Sequence, residues 1–171
     1  MPDPAPLAQR LKDRFPEAVL AVHAFRGDET AVIEPGSLLE IARFLRDDPA
    51  MAFNFLMDAT AVDYLRYPRD RKDPPGPSAR FEVIYHFYSL EQNHRLRVKI
   101  PVKEADPVVD SLAGLWASAD WYEREIWDMF GIKFRGHPNL KRLLMYEEFE
   151  GYPLRKDYAV TKRQPLIGPV N

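Results

Sequence analysis

Three carboxylates in the last third of the chain have the residue types and spacing for acid–base chemistry. Glu125 and Asp128 are three residues apart, so in a helix they lie on one face. Such a pair can act as a general acid and a general base. Glu123 is two residues earlier, and Arg124 lies between the two glutamates. Because a neighbouring cation favours ion pairing, the sequence indicates a structural role for these carboxylates, with a small acid–base enzyme as a distant alternative.

Metal, redox and nucleotide chemistry have little support among the other residues. The four histidines have no H-x-x-x-H or H-E-x-x-H spacing, although His86 and His94 flank a predicted hairpin and could approach each other. His137 is predicted to be a hydrogen-bonded anchor. The sequence has no cysteine, which excludes disulfides, thiolate zinc sites and cysteine-ligated iron–sulfur clusters. With no glycine-rich phosphate motif either, we expect no catalytic, cofactor-binding or metal-binding residue in this chain.

Length and composition are typical of one folded domain with an appendage. The chain has 171 residues, of which 46% are apolar and 29% charged, and its net charge is −2 with a pI near 6.1. This acidic balance disfavours a general nucleic-acid binder. No apolar run reaches the ~18 residues of a membrane-spanning helix, and the first residues lack the apolar core of a secretory signal. We therefore expect the chain in the cytosolic compartment unless a partner holds it at a membrane.

Hydrophobic periodicity predicts the elements that would position these residues. Helices are predicted at 7–15, 38–45, 108–116 and 121–131, and strands at 19–25, 30–34, 51–65, 81–88 and 95–102. Ser37, Asp106 and Asp120 are predicted helix N-caps, the first and last of them in capping boxes. Gly131 is predicted to end the last helix in a left-handed conformation.

The strands at 81–88 and 95–102 alternate apolar and polar residues, so their apolar residues lie on one face of an antiparallel pair. On the other face, Arg95, Arg97 and Lys99 recur at every second position. Such a face is ordinarily solvated. The alternatives are contact with acidic lipid, with RNA or with a protein, and the acidic balance of the domain favours a protein.

The helix at 121–131 is rich in aromatic residues. Its apolar side chains cover an arc wider than one amphipathic stripe, namely Trp121, Tyr122, Ile126, Trp127, Met129 and Phe130. Arg124 and Asp128 have the spacing of an ion pair. Glu123 and Glu125 fall within the apolar arc, where a carboxylate needs a partner. The partner is either a cation of another protein or one of the basic residues Arg142, Arg155 and Lys156 of this chain.

An extended, proline-punctuated segment follows this helix, and we call it the C-terminal arm (residues 135–171). It contains seven Lys or Arg and four Asp or Glu, a net charge of +3, which leaves −5 for the rest of the chain. It is rich in Leu and Tyr, unlike a disordered tail, so we expect it to dock on its own domain or on another protein. Residues 1–134 are predicted to form an α+β two-layer domain, in which a mixed, largely antiparallel sheet packs on helices.

The helix and the arm together carry many residues at fixed spacing. They are Glu123-Arg124-Glu125, Trp127-Asp128-Met129-Phe130-Gly131-Ile132, Phe134, Gly136-His137-Pro138, Leu140, Arg142, Gly151 and Pro153-Leu154-Arg155-Lys156-Asp157-Tyr158. This motif resembles the signature of the thirty-kilodalton subunit family (the C subunit) of NADH:quinone oxidoreductase, which is respiratory complex I. Looser matches upstream, at Phe53, Leu56, Asp58 and Asp63-Tyr64, extend the resemblance over residues 37–158. At Ala159 the family usually has proline.

The resemblance implies a non-catalytic structural subunit of the peripheral arm of a proton-translocating NADH:quinone oxidoreductase. FMN, the iron–sulfur clusters and quinone would lie in partner subunits, and this chain would hold no cofactor. Its partners would be the subunits that carry the terminal iron–sulfur cluster and the quinone pocket, on the cytoplasmic side of the bacterial inner membrane. The equivalent subunit of a membrane-bound hydrogenase, or of another donor:quinone oxidoreductase, is the alternative.

The resemblance also places the arm and the signature residues at the interface with partner subunits. These residues are Glu123, Arg124, Glu125, Trp127, Asp128, Phe130, Gly131, His137, Pro138, Arg142, Pro153, Leu154, Arg155, Lys156, Asp157 and Tyr158.

Overall fold

The computed structural model describes residues 6–67 and 78–164. The helices are α1 (Leu7–Arg14), α2 (Leu38–Asp47) and α3 (Ala119–Phe130), and a short 3₁₀ turn (Pro35–Ser37) precedes α2. The strands are β1 (Val19–Phe25), β2 (Asp28–Ile33), β3 (Phe55–Asp63), β4 (Phe81–Ser89), β5 (His94–Val102), β6 (Val108–Asp110) and β7 (Lys133–Arg135). This arrangement confirms the predicted α+β class.

The five long strands form one sheet in the order β1-β2-β5-β4-β3. Within this sheet only the pair β2–β5 is parallel, so the sheet is mixed and largely antiparallel as predicted. Arg26 and Gly27, with φ angles of 53° and 87°, provide the left-handed turn that joins β1 to β2. Period-two alternation directs the core side chains of the central strands, among them Val98 and Tyr85, to one face.

Helix α3 and the segment before it cover the outer edge of β3. Trp116 Nε1 donates to the Phe53 carbonyl at 3.1 Å, Ser118 Oγ to that of Leu56 at 3.2 Å, and the Tyr122 hydroxyl to that of Met57 at 2.8 Å. The bonds to Leu56 and Met57 occupy carbonyl groups of the edge strand β3, and the bond to Phe53 lies just before it. They also fix the position of α3, which carries the first half of the signature.

The helix predicted at 108–116 does not form, and this prediction was wrong. Val108–Asp110 is instead a strand that pairs in parallel with Lys133–Arg135, with Val109 opposite Phe134. Turns follow it up to α3, and Asp106 caps no helix. The pairing partner lies about two dozen residues away and follows α3, so local periodicity does not reveal it.

The predicted helix caps were partly wrong. Asp120 lies inside α3, which Ser118 precedes without a side-chain capping bond. Ser37 also makes no capping bond, because the 3₁₀ turn leads directly into α2. Gly131 ends α3 as predicted, with φ 78° and its N–H bonded to the Trp127 carbonyl.

Candidate functional site

Asp128, on the inner side of α3, is the centre of a first polar cluster, which we call the Asp128 cluster. Its buried carboxylate accepts backbone N–H bonds from Leu143, Leu144 and Met145 at 3.1, 2.8 and 2.9 Å. It also accepts a bond from the Arg142 guanidinium at 2.5 Å. Burial by itself would raise the pKa of Asp128, but these donors outweigh it and lower the pKa. The carboxylate therefore stays ionised and fixes the turn of the arm at 142–145.

Arg124 does not pair with Asp128, so this sequence prediction was wrong. Arg124 points to the arm and donates to the carbonyls of Lys141 at 3.1 Å and Arg142 at 3.0 Å. Arg142 in turn donates to the Phe149 carbonyl at 2.7 Å, and its guanidinium lies 5.9 Å from the Trp127 ring centroid. Thus α3 binds the arm through two charged side chains, Asp128 and Arg124.

A second polar cluster forms at the end of the sheet where β3 ends and β4 begins. We call it the Arg80 cluster. Arg80, which is almost fully buried, binds both carboxylate oxygens of Asp63 at 3.1 and 2.9 Å. It also pairs with Asp157 of the arm at 2.9 Å and with Glu104. The Lys156 N–H donates to Asp63 at 2.8 Å. The bidentate geometry suits arginine and ties the arm to two strands at once.

The charges of the Arg80 cluster stabilise one another's ionised forms. The hydrogen bond from Arg155 is the main cause that holds the pKa of Asp157 well below its usual range, with Arg80 contributing further. Burial would raise the pKa of Asp63, yet Arg80 and two backbone N–H groups lower it. Neither Arg80 nor Glu104 was predicted from the sequence to belong to a functional site. The only sequence signal for Arg80 is a cation placed directly before a buried strand, which does not indicate its partner.

Backbone, aromatic and histidine contacts complete the attachment of the arm to the domain. The Leu154 N–H donates to the Met129 carbonyl at 3.1 Å, and the Tyr152 ring lies against Gly131. His137 is a hydrogen-bonded anchor as predicted: its Nδ1 accepts from the Asn139 N–H at 3.0 Å. Because Nδ1 is an acceptor, Nε2 carries the proton and donates to the Asp120 carbonyl at 3.1 Å.

Glu123 has no cationic partner among the described residues, and the predicted capping box was wrong. Of the two alternatives for its partner, the one within this chain, at Arg142, Arg155 or Lys156, does not hold. Its fully buried carboxylate accepts from Ser111 Oγ at 2.5 Å, the Leu112 N–H at 2.7 Å and the Tyr85 hydroxyl at 3.3 Å. Burial outweighs these donors and raises the pKa of Glu123 to about 7.

The geometry does not support an acid–base pair at Glu125 and Asp128. Glu125 is exposed, whereas Asp128 is fully buried and both of its oxygens accept hydrogen bonds within the cluster. The approach of His86 to His94 does not occur either, because His94 faces Met51 and bonds to its carbonyl at 2.7 Å. Within residues 6–67 and 78–164, no group of three or more His, Asp or Glu side chains is placed to hold a metal ion.

The signature residues divide between the interior and the surface. Glu123, Arg124, Asp128, Phe130 and Gly131 are buried, Trp127, His137, Arg142, Pro153, Arg155 and Tyr158 are half-buried, and Glu125, Pro138, Leu154, Lys156 and Asp157 are exposed. Most of them thus attach the described part of the arm to its own domain. Whether they also contact partner subunits stays a prediction.

Several large apolar side chains remain exposed around the attached arm. On α3, Trp121 is 64% exposed, and on the arm Leu144 is 56% exposed, with Tyr146, Leu154 and Val160 also exposed. We call these five residues the outer apolar set. Single exposed apolar residues are common, and the outer apolar set offers five such side chains on α3 and the arm. In the described residues no helix is long and apolar enough to cross a membrane.

Comparisons with known proteins agree with this geometry. Residues 31–164 match the family model described as "Respiratory-chain NADH dehydrogenase, 30 Kd subunit". The C subunit of NADH-quinone oxidoreductase from Citrifermentans bemidjiense is 47% identical over 94% of this chain and 88% of its own length. The equally named protein of a Roseiflexus species is 46% identical over 91% of this chain and 83% of its own length.

Two solved structures share the fold. A trypsin-resistant fragment (1-134) of Nqo5 is 33% identical, with a TM-score of 0.66 over 78% of this chain and 98% of the fragment. A chain of an archaeal respiratory membrane complex, the membrane-bound sulfane sulfur reductase, has a TM-score of 0.65 over 90% of this chain and 84% of its own length. At 20% identity the second likeness concerns the fold alone. The signature, the sheet and these relatives together show that the chain belongs to the thirty-kilodalton subunit family of respiratory-chain NADH dehydrogenase, the family of the NADH-quinone oxidoreductase C subunit.

Proposed function

We propose that this chain is a non-catalytic structural subunit that orients neighbouring subunits in the peripheral arm of NADH-quinone oxidoreductase. The observation that carries the proposal is that charged signature residues bind the arm to the domain. Asp128 and Arg142 bind the arm to α3, and Arg80 and Asp157 bind it to the sheet. These charges attach the arm to its own domain, which is a structural role.

The physical reason for two clusters lies in the nature of the arm. Ordering any segment costs backbone entropy of about 1–2 kcal/mol per residue. In its described residues the arm has almost no helix or strand of its own to offset this cost, so it needs contacts with the domain. Buried ion pairs with backbone donors give it one defined course. The outer apolar set then has a fixed position before a partner arrives, which lowers the entropic cost of association.

We also infer that the redox groups lie in other chains. With no cysteine, this chain has no thiolate ligand for an iron–sulfur cluster. We therefore place FMN, the clusters and quinone in partner subunits, with this chain lying beside those that carry the terminal cluster and the quinone pocket. It would reach the cytoplasmic side of a bacterial inner membrane only through those partners, in a complex that couples NADH oxidation to proton translocation.

Two other functions are less well supported. A related membrane-bound hydrogenase or another donor:quinone oxidoreductase would use the same fold, but the relatives of high identity bear the name of the NADH-quinone oxidoreductase C subunit. An independent acid–base enzyme lacks its predicted pair, since Glu125 is exposed and Asp128 is buried in a saturated site.

Affinity purification of the tagged chain from native membranes tests the proposal. We expect the chain to co-purify with NADH-oxidising activity and with subunits that contain iron and flavin, while the isolated chain contains neither. Trp121→Ser and Leu144→Ser should reduce co-purification without changing the melting temperature of the isolated chain. Leu90, equally exposed at 67% but located at the β4–β5 turn, provides the matched control Leu90→Ser, which should behave like the wild type. Stoichiometric flavin or iron in the isolated chain, or activity of that chain alone, would refute the proposal.

A further inference from the structure

The five-stranded sheet has a polar face opposite its core. The strand registers place His23, Thr30, Arg97, His86 and Asp58 side by side in one row across all five strands. The next row contains Lys99 opposite Val32 and Ile84. We call the surface formed by these two rows the polar face.

Most charges on and beside the polar face are neutralised within the chain. Arg95 pairs with Asp28 at 2.7 Å, and Lys99 pairs with Glu82 at 3.1 Å. Arg97 lies between these two cations on β5 and is half-buried. It donates a hydrogen bond to the buried Thr30 hydroxyl at 3.3 Å, but in the described part of the chain it pairs with no carboxylate.

Two histidines flank Arg97 in its row, and Asp58 lies beyond His86. His86 and His23 lie in the same row, on the two sides of the Arg97–Thr30 pair. Burial lowers the pKa of His86, Arg97 lowers it further, and the carboxylates Asp58 and Asp28 oppose this only in part. Burial, Lys99 and Arg97 lower the pKa of His23 against the opposing effect of Glu82. Arg97 is thus half-buried, with a hydrogen bond to Thr30 and no carboxylate partner among the described residues.

We propose that the polar face is a second docking surface, on which Arg97 binds a carboxylate of a neighbouring subunit. The inference rests on the proposed function, because it takes the chain to be part of a complex. The planar guanidinium favours a carboxylate that accepts two parallel N–H bonds. A membrane surface fits less well, since lipid recognition of this kind uses about four to eight clustered cations, and here only Arg97 is left without a carboxylate among the three basic residues of β5.

The first test uses the complex purified from native membranes in which the chain is replaced by variants. Arg97→Gln removes the unpaired charge and Arg97→Glu reverses it. Removing one partner of a buried hydrogen-bonded charge pair between proteins commonly costs enough to weaken binding by about thirtyfold or more, so both variants should be largely lost from the complex on a salt wash. Arg95→Gln, two residues along the same strand face, is the matched control and should be retained like the wild type. Equal retention of all variants would overturn the inference.

The second test identifies the partner atom directly. Arg97→Lys keeps the charge and places a primary amine at position 97, which a carbodiimide couples to an adjacent carboxylate. In the purified complex we expect a cross-linked peptide between residue 97 and an aspartate or glutamate of another subunit. A cross-link to Asp58 or Glu82 of the same chain, or none, would contradict the inference. This measurement does not depend on how well Arg97→Gln folds.

Two further outcomes distinguish a lipid occupant of the polar face, and a failure of the proposed function, from a failure of the docking surface alone. If the isolated chain binds vesicles of equal parts phosphatidylcholine and phosphatidylglycerol, and Arg97→Gln abolishes this binding, the occupant is lipid and the inference is wrong. If the wild-type chain fails to co-purify with any complex, the proposed function itself is wrong. Co-purification of the wild type together with full retention of Arg97→Glu refutes only the docking surface.

Discussion

Asp128 of α3 and Arg142 of the arm form a 2.5 Å ion pair whose carboxylate is fully buried. The same carboxylate orders three consecutive backbone N–H groups, at residues 143–145. The Asp128 side chain thus determines the course of residues 143–145, which form no helix or strand. Through this contact, α3 supports the irregular arm.

Loss of the Asp128 charge should release the arm. Asp128→Asn keeps the shape but places an amide NH₂ against N–H donors and leaves Arg142 without its anion. Breaking a buried pair on one side costs about 3–5 kcal/mol, and we expect a loss of this size in denaturant-induced unfolding. Trypsin should also cleave the variant rapidly after Lys141 or Arg142. Glu125→Gln, an exposed change on the same helix, should alter stability by no more than about 0.5 kcal/mol, and an unchanged Asp128→Asn would argue against the role of this pair.

Glu123 should make the chain less stable as the pH rises. Its pKa is about 7 in the folded state, above its ordinary value of 4.5, so the folded protein binds more protons than the unfolded chain between these values. Stability from this group is therefore complete below pH 4.5 and is lost as the pH rises towards and through 7. The loss amounts to about 3 kcal/mol, since each pKa unit corresponds to roughly 1.4 kcal/mol.

Glu123→Gln should remove this dependence. The free energy of unfolding of the variant, measured against that of the wild type from pH 4.5 to 8, should increase steadily, because the amide stays neutral while Glu123 ionises. Glu125→Gln is again the control and should show no such trend. A constant difference between Glu123→Gln and the wild type would mean that Glu123 is not protonated preferentially in the folded state.

Gly131 and Gly136 allow backbone strain to be separated from steric contact. Both have φ near 80°, but a Cβ on Gly131 would lie 2.5 Å from the Tyr152 ring, whereas a Cβ on Gly136 meets nothing within 4 Å. Gly136→Ala should therefore cost about 1–2 kcal/mol from its left-handed conformation alone. Gly131→Ala should cost clearly more in the same thermal or denaturant unfolding measurement, and Tyr152→Leu in that background should recover part of the difference. Equal costs at the two glycines would show that Tyr152 moves aside freely.

Arg80 should stabilise the fold mainly through its buried pair with Asp63. Arg80→Leu leaves the buried carboxylate of Asp63 uncompensated, and we expect about 3–5 kcal/mol of destabilisation in chemical unfolding. Asp63→Leu in the Arg80→Leu background should recover part of this loss, because two apolar side chains replace a broken pair. A double-mutant cycle measures the coupling, and strictly additive effects would contradict a direct interaction.

Local sequence patterns were sufficient for most of the framework. Alternation in β4 and β5 identified both the strands and their apolar face, and Gly131 marked the end of α3. These properties depend on residues that are close together in the sequence, so they can be predicted from local patterns. The signature likewise identified the family, because it is read as residue types at fixed spacing.

The tertiary structure alone decided which partner each buried charge has. The sequence shows that Glu123, Arg124 and Asp128 each need one, but several partners along the chain are equally plausible by charge. Packing brings Glu123 to Tyr85 and Ser111 rather than to a cation, and it brings the Lys156 amide to Asp63, which lies 93 residues earlier in the sequence. It also made a strand of Val108–Asp110, since the partner strand Lys133–Arg135 follows α3 in the sequence and lies beside it only in the folded chain. Coulomb attraction is not selective at the level of sequence, and only the folded chain specifies which opposite charges and donors come within reach.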